Sequence, residues 1–273
     1  MMEKGLSERP IGIFDSGVGG LTVVKEVMKL LPNETIIYFG DTARVPYGTK
    51  SKETITLFAE QDTNFLLKKN VKAIVVACNS VSSNSLKFLK KHFTLPIIGV
   101  IEPGATFACR KTKNGKIAVI GTAATIESGT YKRSIKEKCR DAIVYSKSCP
   151  LFVPLSEEGW LEKEATFLIA KEYLSELLDK GIDTLVLGCT HYPILKQMLQ
   201  RVVGKKVTLI DSASYTAIAL KEMLEEKKLL RKSRTITEPL FYLSDIPRNF
   251  SGIGERFLGK KINNISVVDI TQQ

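Results

Sequence analysis

Two cysteines carry the clearest chemical signal in this chain. Cys78 ends the apolar run Ala73-Ile74-Val75-Val76-Ala77 and is followed by Asn79-Ser80. Cys189 ends Leu185-Val186-Leu187-Gly188 and is followed by Thr190-His191-Tyr192-Pro193. Each stretch reads as a buried strand, a small residue, a thiol, and polar residues opening a helix, and α/β folds hold ligands at such strand ends. A cysteine at the amino end of a helix feels the positive end of its dipole, so its thiolate is expected to be favoured over that of a free cysteine, whose pKa is about 8.5. Two such thiols facing one ligand, one ionised and one not, can remove a proton from one face of a carbon and return one to the other.

Other groups stand where they could tune these thiols. Asp15 ends the run Ile11-Gly12-Ile13-Phe14, expected beside the Cys78 strand, and could orient a proton there or meet a ligand ammonium. His191 lies two residues after Cys189, and Glu158 sits in a loop before it. His191 is read as an acid/base partner, with a helix-start residue bonded to backbone as the alternative. Glu158, judged by position alone, is equally an exposed loop acid. Hydroxyl and amide groups gather at the same strand ends: Ser16, Asn79, Ser80, Thr122, Thr125 and Thr190. Each could be a helix cap; together they could hold a carboxylate and an ammonium.

The elements that must position these groups recur along the chain. Ile11–Gly17 is matched by Ile117–Ala123, Val45-Pro46 by Val153-Pro154, and Cys78 by Cys189, at offsets of 106, 108 and 111 residues. That order implies two copies of one α/β unit, and an approximate two-fold would bring one cysteine from each side of a shared cleft. Strands are expected at Ile11–Phe14, Thr35–Phe39, at the Cys78 run and at Leu95–Val100, then at Lys116–Gly121, Ile143–Ser146, Asp183–Gly188 and Lys206–Ile210. Helices are expected at Leu21–Leu31, Lys50–Lys69, Val81–Lys91, Thr122–Arg140 and Glu162–Lys180, with Cys149–Gly159 as a loop. Asp211-Ser212-Ala213 should start a helix returning to the first unit, whose sheet Leu240–Leu243 and Ile265–Ile270 would complete. The fold class is therefore α/β, with two pseudo-symmetric lobes of mostly parallel sheet flanked by helices and the site in the cleft between them. The first lobe takes residues 1–101 plus 211–273 and the second 102–210, with Glu102-Pro103-Gly104 as the boundary. Asp15-Ser16-Gly17-Val18-Gly19-Gly20 departs from the dinucleotide fingerprint and reads as a strand-to-helix turn, with an anion at the helix start as a further expectation.

At 273 residues, with 44% hydrophobic and 25% charged residues, the chain is of ordinary soluble globular make-up. The polar start from Met1 to Pro10 lacks the apolar run of a signal peptide, and no stretch would span a membrane, so a cytoplasmic location is expected. The residues before Ile11 are expected to hold no sizeable regulatory element. The net charge of +11 comes from scattered pairs such as Lys68-Lys69 and Lys205-Lys206, with no aromatic-interleaved basic motif, so nucleic acid is not the expected partner. Five cysteines without CxxC spacing argue against a disulfide framework and a zinc ribbon; Cys109, Cys139 and Cys149 read as filler.

The segments Ile13–Thr22, Gly40–Gly48, Ala77–Ser80, Pro154–Gly159 and Gly188–Pro193 together resemble the cofactor-independent glutamate racemases, in order and over almost the whole chain. The Pro46-Tyr47-Gly48 loop and the histidine of Cys189-Thr190-His191 resemble the glutamate branch of the wider aspartate/glutamate superfamily. The resemblance implies interconversion of L- and D-glutamate without pyridoxal phosphate, other cofactor or metal. It implies Cys78 as the base for D-glutamate, assisted by Asp15, and Cys189 as the base for L-glutamate, assisted by Glu158 and His191. It implies substrate contacts from Asp15, Ser16, Pro46, Tyr47, Gly48, Asn79, Ser80, Thr122, Thr125, Thr190 and His191, with Ser80 standing where the family usually has threonine. It further implies a homodimer and D-glutamate supply for peptidoglycan. An aspartate racemase, or a non-catalytic amino-acid binding protein on the same scaffold, is the alternative; two opposed thiols argue against the latter.

Overall fold

Parallel strands whose side chains are apolar at nearly every position must be covered on both faces, and that requirement shapes this chain. The structure is a computed structural model that describes residues 5–247 and 250–270. The chain runs β1 (Ile11–Asp15), α1 (Leu21–Leu30), β2 (Ile36–Gly40), α2 (Lys52–Lys68), β3 (Ala73–Val76), α3 (Asn79–Asn84), α4 (Leu86–His92) and β4 (Ile97–Gly99). It continues through α5 (Ile101–Lys111), β5 (Lys116–Gly121), α6 (Ala123–Glu127), α7 (Thr130–Lys138), β6 (Ile143–Ser148), α8 (Phe152–Glu157), α9 (Glu164–Asp179) and β7 (Thr184–Gly188). Then come α10 (Lys196–Val203), β8 (Thr208–Asp211), α11 (Ser212–Glu226), β9 (Leu240–Leu243), α12 (Phe250–Leu258) and β10 (Ile265–Val267).

The strands form two wholly parallel sheets, ordered β10-β9-β2-β1-β3-β4 and β6-β5-β7-β8. The second order repeats β2-β1-β3-β4 strand for strand, so the repeat in the sequence is a repeat in topology. Cys78 follows β3 and Cys189 follows the matching β7. The tail strands β9 and β10 extend only the first sheet, where Ile37–Gly40 pairs with Leu240–Leu243. A single apolar cluster joins the two sheets: Ile11 and Val75 of the first share it with Ile117, Val119 and Val186 of the second, filled in by α1, α5 and α11. Asp211 caps the returning helix by accepting a hydrogen bond from the Ala213 amide at 2.9 Å.

Several elements differ from the sequence expectation. Val81–Lys91 is two helices, α3 and α4, meeting at Ser85. Thr122–Arg140 is broken after α6, where Gly129 takes φ +64°, a left-handed turn that a side chain would strain. Glu102-Pro103-Gly104 is the first turn of α5, where proline's missing N–H costs nothing, so the passage between sheets is a helix and not a linker. The expected Cys149–Gly159 loop contains α8, and α12 was not anticipated. Residues 1–4 of the polar start lie outside the described residues, as do 248–249 and 271–273. Among the described residues no helix is long and apolar enough to cross a membrane.

Candidate active site

A cavity of about 330 Å³ opens between the carboxyl ends of the two sheets, at the small end of the range for small-molecule sites of about 300–1,000 Å³. Of the residues expected at the site, Ser16, Pro46, Tyr47, Gly48, Cys78, Asn79, Ser80, Thr122, Cys189, Thr190 and His191 line it. Val45, Thr49, Ala123, Pro150, Val153, Pro154 and Glu157 complete the wall. Asp15, Thr125 and Glu158 do not reach it. Among the described residues no lysine or arginine lines the cavity, where hydroxyls, amides and the His191 ring are the groups able to meet an anion.

On the first side, Cys78 Sγ lies 3.5 Å from Ser16 Oγ and is nearly inaccessible. Burial, reinforced by the nearby Asp15 charge, pushes its thiol up to about 12. This corrects the expectation of a favoured thiolate: the helix that follows has only six residues, and its dipole is outweighed by desolvation. Asp15 is fully buried. Its Oδ2 accepts hydrogen bonds from the amides of Gly20 at 2.9 Å and Gly17 at 3.2 Å, and Thr190 Oγ1 donates to Oδ1 at 3.4 Å. The anion expected at the start of α1 is thus the chain's own carboxylate, which is not among the groups lining the cavity. Burial raises its pKa despite those donors and the His191 charge. The glycines of this loop serve close approach, for none has a positive φ: a methyl on Gly19 would collide with Thr190 and His191 of the opposite turn.

On the second side, Cys189 Sγ lies 3.8 Å from His191 Nδ1, and His191 Nε2 lies 2.9 Å from Glu157 Oε1. Burial opposes charge on this ring, but the hydrogen bonds to Cys189 and Glu157 prevail and lift its pKa to about 10. At neutral pH it is an imidazolium, with one N–H for the sulfur and one for the carboxylate. The acid partner is Glu157, not Glu158. Because the segment is helical and not a loop, adjacent acids point apart: Glu157 comes to the cavity and Glu158 faces solvent. At Cys189, by contrast, a 3₁₀ turn, Tyr192–Leu195, comes first and the α-helix begins only at Lys196. The tail closes over this side: Arg256 Nη1 donates to the Glu157 carbonyl at 3.0 Å, and the Phe257 ring stands edge-on to His191 at 5.3 Å.

Hydroxyls link the two sides. Ser80 Oγ lies 3.0 Å from Thr122 Oγ1, which lies 3.0 Å from Thr125 Oγ1. Thr125 therefore supports Thr122 without touching the cavity. Ser80 keeps the hydroxyl that this contact needs, so the threonine methyl of the family's usual residue is dispensable for it. The loop from Val45 to Thr49 is fixed from below by groups that sequence reading did not connect. Arg44 bridges Asp41 at 2.5 Å and Asp62 at 3.1 Å and bonds Gln61, while the Tyr47 hydroxyl bonds Asp41. Asp62 is fully buried, and burial next to Asp41 holds its pKa well above the carboxylate range. A methyl on Gly48 would strike Thr122, so this loop of the first sheet rests against the second.

The family model for Asp/Glu/Hydantoin racemases matches residues 19–220. The chain is 48% identical over 262 residues to the glutamate racemase of Geobacter metallireducens, covering 96% of this chain and 97% of that one. It is 49% identical over 266 residues to that of Chlorobaculum tepidum, covering 97% and 98%. The crystal structure of glutamate racemase from Francisella tularensis in complex with D-glutamate superposes with a TM-score of 0.92 at 43% identity, covering 98% of this chain and 100% of that one. This chain belongs to the Asp/Glu/Hydantoin racemase family.

Within that family the arrangement has a direct chemical meaning. One sulfur is a neutral thiol, held protonated by its buried setting, and the other has a protonated imidazole beside it. Such a pair can give a proton from one side while accepting one on the other. Among the described residues, Asn79 Nδ2 is the buried side-chain polar atom without a hydrogen-bond partner, and Asn79 lines the cavity. An orphaned buried donor is costly, at about 1–3 kcal/mol, unless a ligand satisfies it. No group of three metal-ligating side chains occurs among the described residues.

Proposed function

We propose that this protein interconverts L- and D-glutamate by two-base proton transfer between Cys189 and Cys78. The observation that carries the reading is the placement of one cysteine from each matching strand on one cavity of a racemase-family fold. The relatives of nearly equal length that are named glutamate racemases point to glutamate as the substrate. From L-glutamate, the Cys189 thiolate takes the α-proton and becomes a thiol. The electron pair spreads into the α-carboxylate, and the Cys78 thiol delivers its proton to the opposite face and becomes the thiolate. D-glutamate runs the same steps backwards, and solvent exchange resets the two sulfurs.

His191, backed by Glu157, stabilises negative charge on Cys189; Asp15 plays the counterpart on the Cys78 side without touching substrate. Ser16, Asn79, Ser80, Thr122 and Thr190 meet the substrate's charged groups, and Pro46, Tyr47 and Gly48 shape the side-chain end. Nothing in these steps calls for a cofactor. The two sheets would act as lobes, residues 1–101 plus 211–273 and residues 102–210, whose relative approach closes the cavity. We place the activity in the cytoplasm, in a homodimer, as the source of D-glutamate for peptidoglycan. The test is optical rotation of L-glutamate with purified protein and no added cofactor, alongside Cys78→Ala and Cys189→Ala. Loss of rotation with wild type alone supports the reading. A folded wild type inert toward glutamate but active on aspartate would reassign the substrate, and inertness toward both would return the chain to a binding role.

A further inference from the structure

Tyr131 is a buried tyrosine outside the cavity wall that touches both cysteine-bearing turns at once. It sits in α7 of the second sheet's layer and is 2% exposed. Its hydroxyl reaches across to donate to Asn79 Oδ1 at 2.8 Å, one residue after Cys78. Its ring lies against Gly188, one residue before Cys189, where an added methyl would come within 3.1 Å of Tyr131 Cε2.

The consequence falls on the Asn79 amide. A primary amide can present either its oxygen or its NH₂ to a ligand, and the two orientations are nearly equal in shape. The Tyr131 hydroxyl donates its proton to Asn79 Oδ1, which fixes which end of the amide faces the phenol. The NH₂ end is then left without a protein partner. We propose that Tyr131 is a positioning residue for substrate: by holding Asn79 Oδ1 it leaves Nδ2 as the amide's donor for a carboxylate, and it ties that donor to the Cys189 strand end. A carboxylate ligand satisfies the orphaned donor, whereas the flipped amide would turn its oxygen on the anion. The inference rests on the proposed glutamate chemistry for its ligand, and the geometry supplies the rest.

The experiment measures racemisation kinetics, and glutamate binding by calorimetry, for wild type, Tyr131→Phe, Asn79→Ala and the double variant, with urea midpoints for each. Wild-type turnover is established first, so failure of the glutamate reading shows there and not in the variants. Tyr131→Phe is expected to raise KM for both enantiomers about tenfold, the scale of a hydrogen bond to a charged group, with kcat within about twofold. In the Asn79→Ala background the same change should add less than about twofold, because the group it orients is gone. An unchanged KM in Tyr131→Phe, or an equal loss with and without Asn79, overturns the proposal. If Tyr131→Phe does not fold, Asn79→Asp, which keeps an acceptor for Tyr131 and replaces the NH₂ donor by an oxygen, is the second variant. It should raise KM by at least about tenfold, and no rise would contradict the proposal as well.

Discussion

The two cysteines occupy matching places in matching sheets, yet their surroundings are not copies. Around Cys78 the supporting acid is Asp15, fully buried and held by backbone amides of its own loop. Around Cys189 the acid is Glu157, whose side chain is 39% exposed and which acts through an imidazole. The repeat thus gives two matching strand ends, and each sets its cysteine in different surroundings. The first side holds its sulfur protonated by burial; the second sets a positive charge beside its sulfur. The proposed two-base chemistry needs a proton donor on one face of the substrate and a base on the other, and the two settings differ in that sense.

The largest expected effect is symmetric. Cys78→Ala and Cys189→Ala should each lower kcat for racemisation at least about 10³-fold, since neither sulfur can serve both faces. Progress curves followed by polarimetry check this, and substantial turnover in either variant would break the pairing. The supporting groups should then separate the two sides. His191→Asn is expected to cost about 10²-fold in kcat in the L-to-D direction, the low end for loss of an acid/base group. Glu157→Gln should cost about tenfold, while the exposed Glu158→Gln stays within about twofold; equal losses at 157 and 158 would contradict the α8 geometry. Initial rates from each enantiomer provide the comparison.

The smaller effect concerns stability. His191 has a folded pKa raised to about 10 against an ordinary value of about 6.5. Its stabilising contribution is therefore complete below about pH 6.5 and is lost as pH rises through about 10. Cys78, raised to about 12, acts in the same direction: above about pH 9 the unfolded chain releases a proton that the folded chain keeps. Urea midpoints should thus decline from pH 7 to pH 10, and less steeply in Glu157→Gln, where one of the bonds raising His191 is removed. An equal slope in that variant would remove Glu157 from the account. Arg256→Ala, which unlatches α12 from the Glu157 carbonyl, should lower Tm by about 2–4 °C, as expected for loss of roughly 1 kcal/mol in a chain of this size.

How much of this was legible in the sequence follows the range of each interaction. The strand ends of Cys78 and Cys189, the sheet repeat and the return of the tail to the first sheet are written in apolar runs and their order, and both sheets assemble that way. The acid beside His191 was misplaced by one residue because helix and loop present neighbouring side chains differently, and the proline in Phe152–Glu157 masked the helix. Asp15 was recognised as a strand-end acid, but its burial behind the Gly17–Gly20 turn depends on three-dimensional approach. Asp62 and Arg44 meet from separate elements, and Tyr131 reaches Asn79 from 52 residues away. No local pattern announces such pairs. The break at Gly129 is of the other kind, a local left-handed turn at a glycine.

One measurement tests the two-thiol account most directly. Wild-type protein is incubated with L-glutamate in heavy water, stopped at low conversion, and the enantiomers are separated and examined for deuterium at the α-carbon. Two bases of opposite face predict that the D-glutamate formed carries nearly one deuterium per molecule while the recovered L-glutamate remains almost unlabelled. Label distributed equally between product and recovered substrate, or product retaining the original proton, would mean that one group serves both faces and would contradict the account.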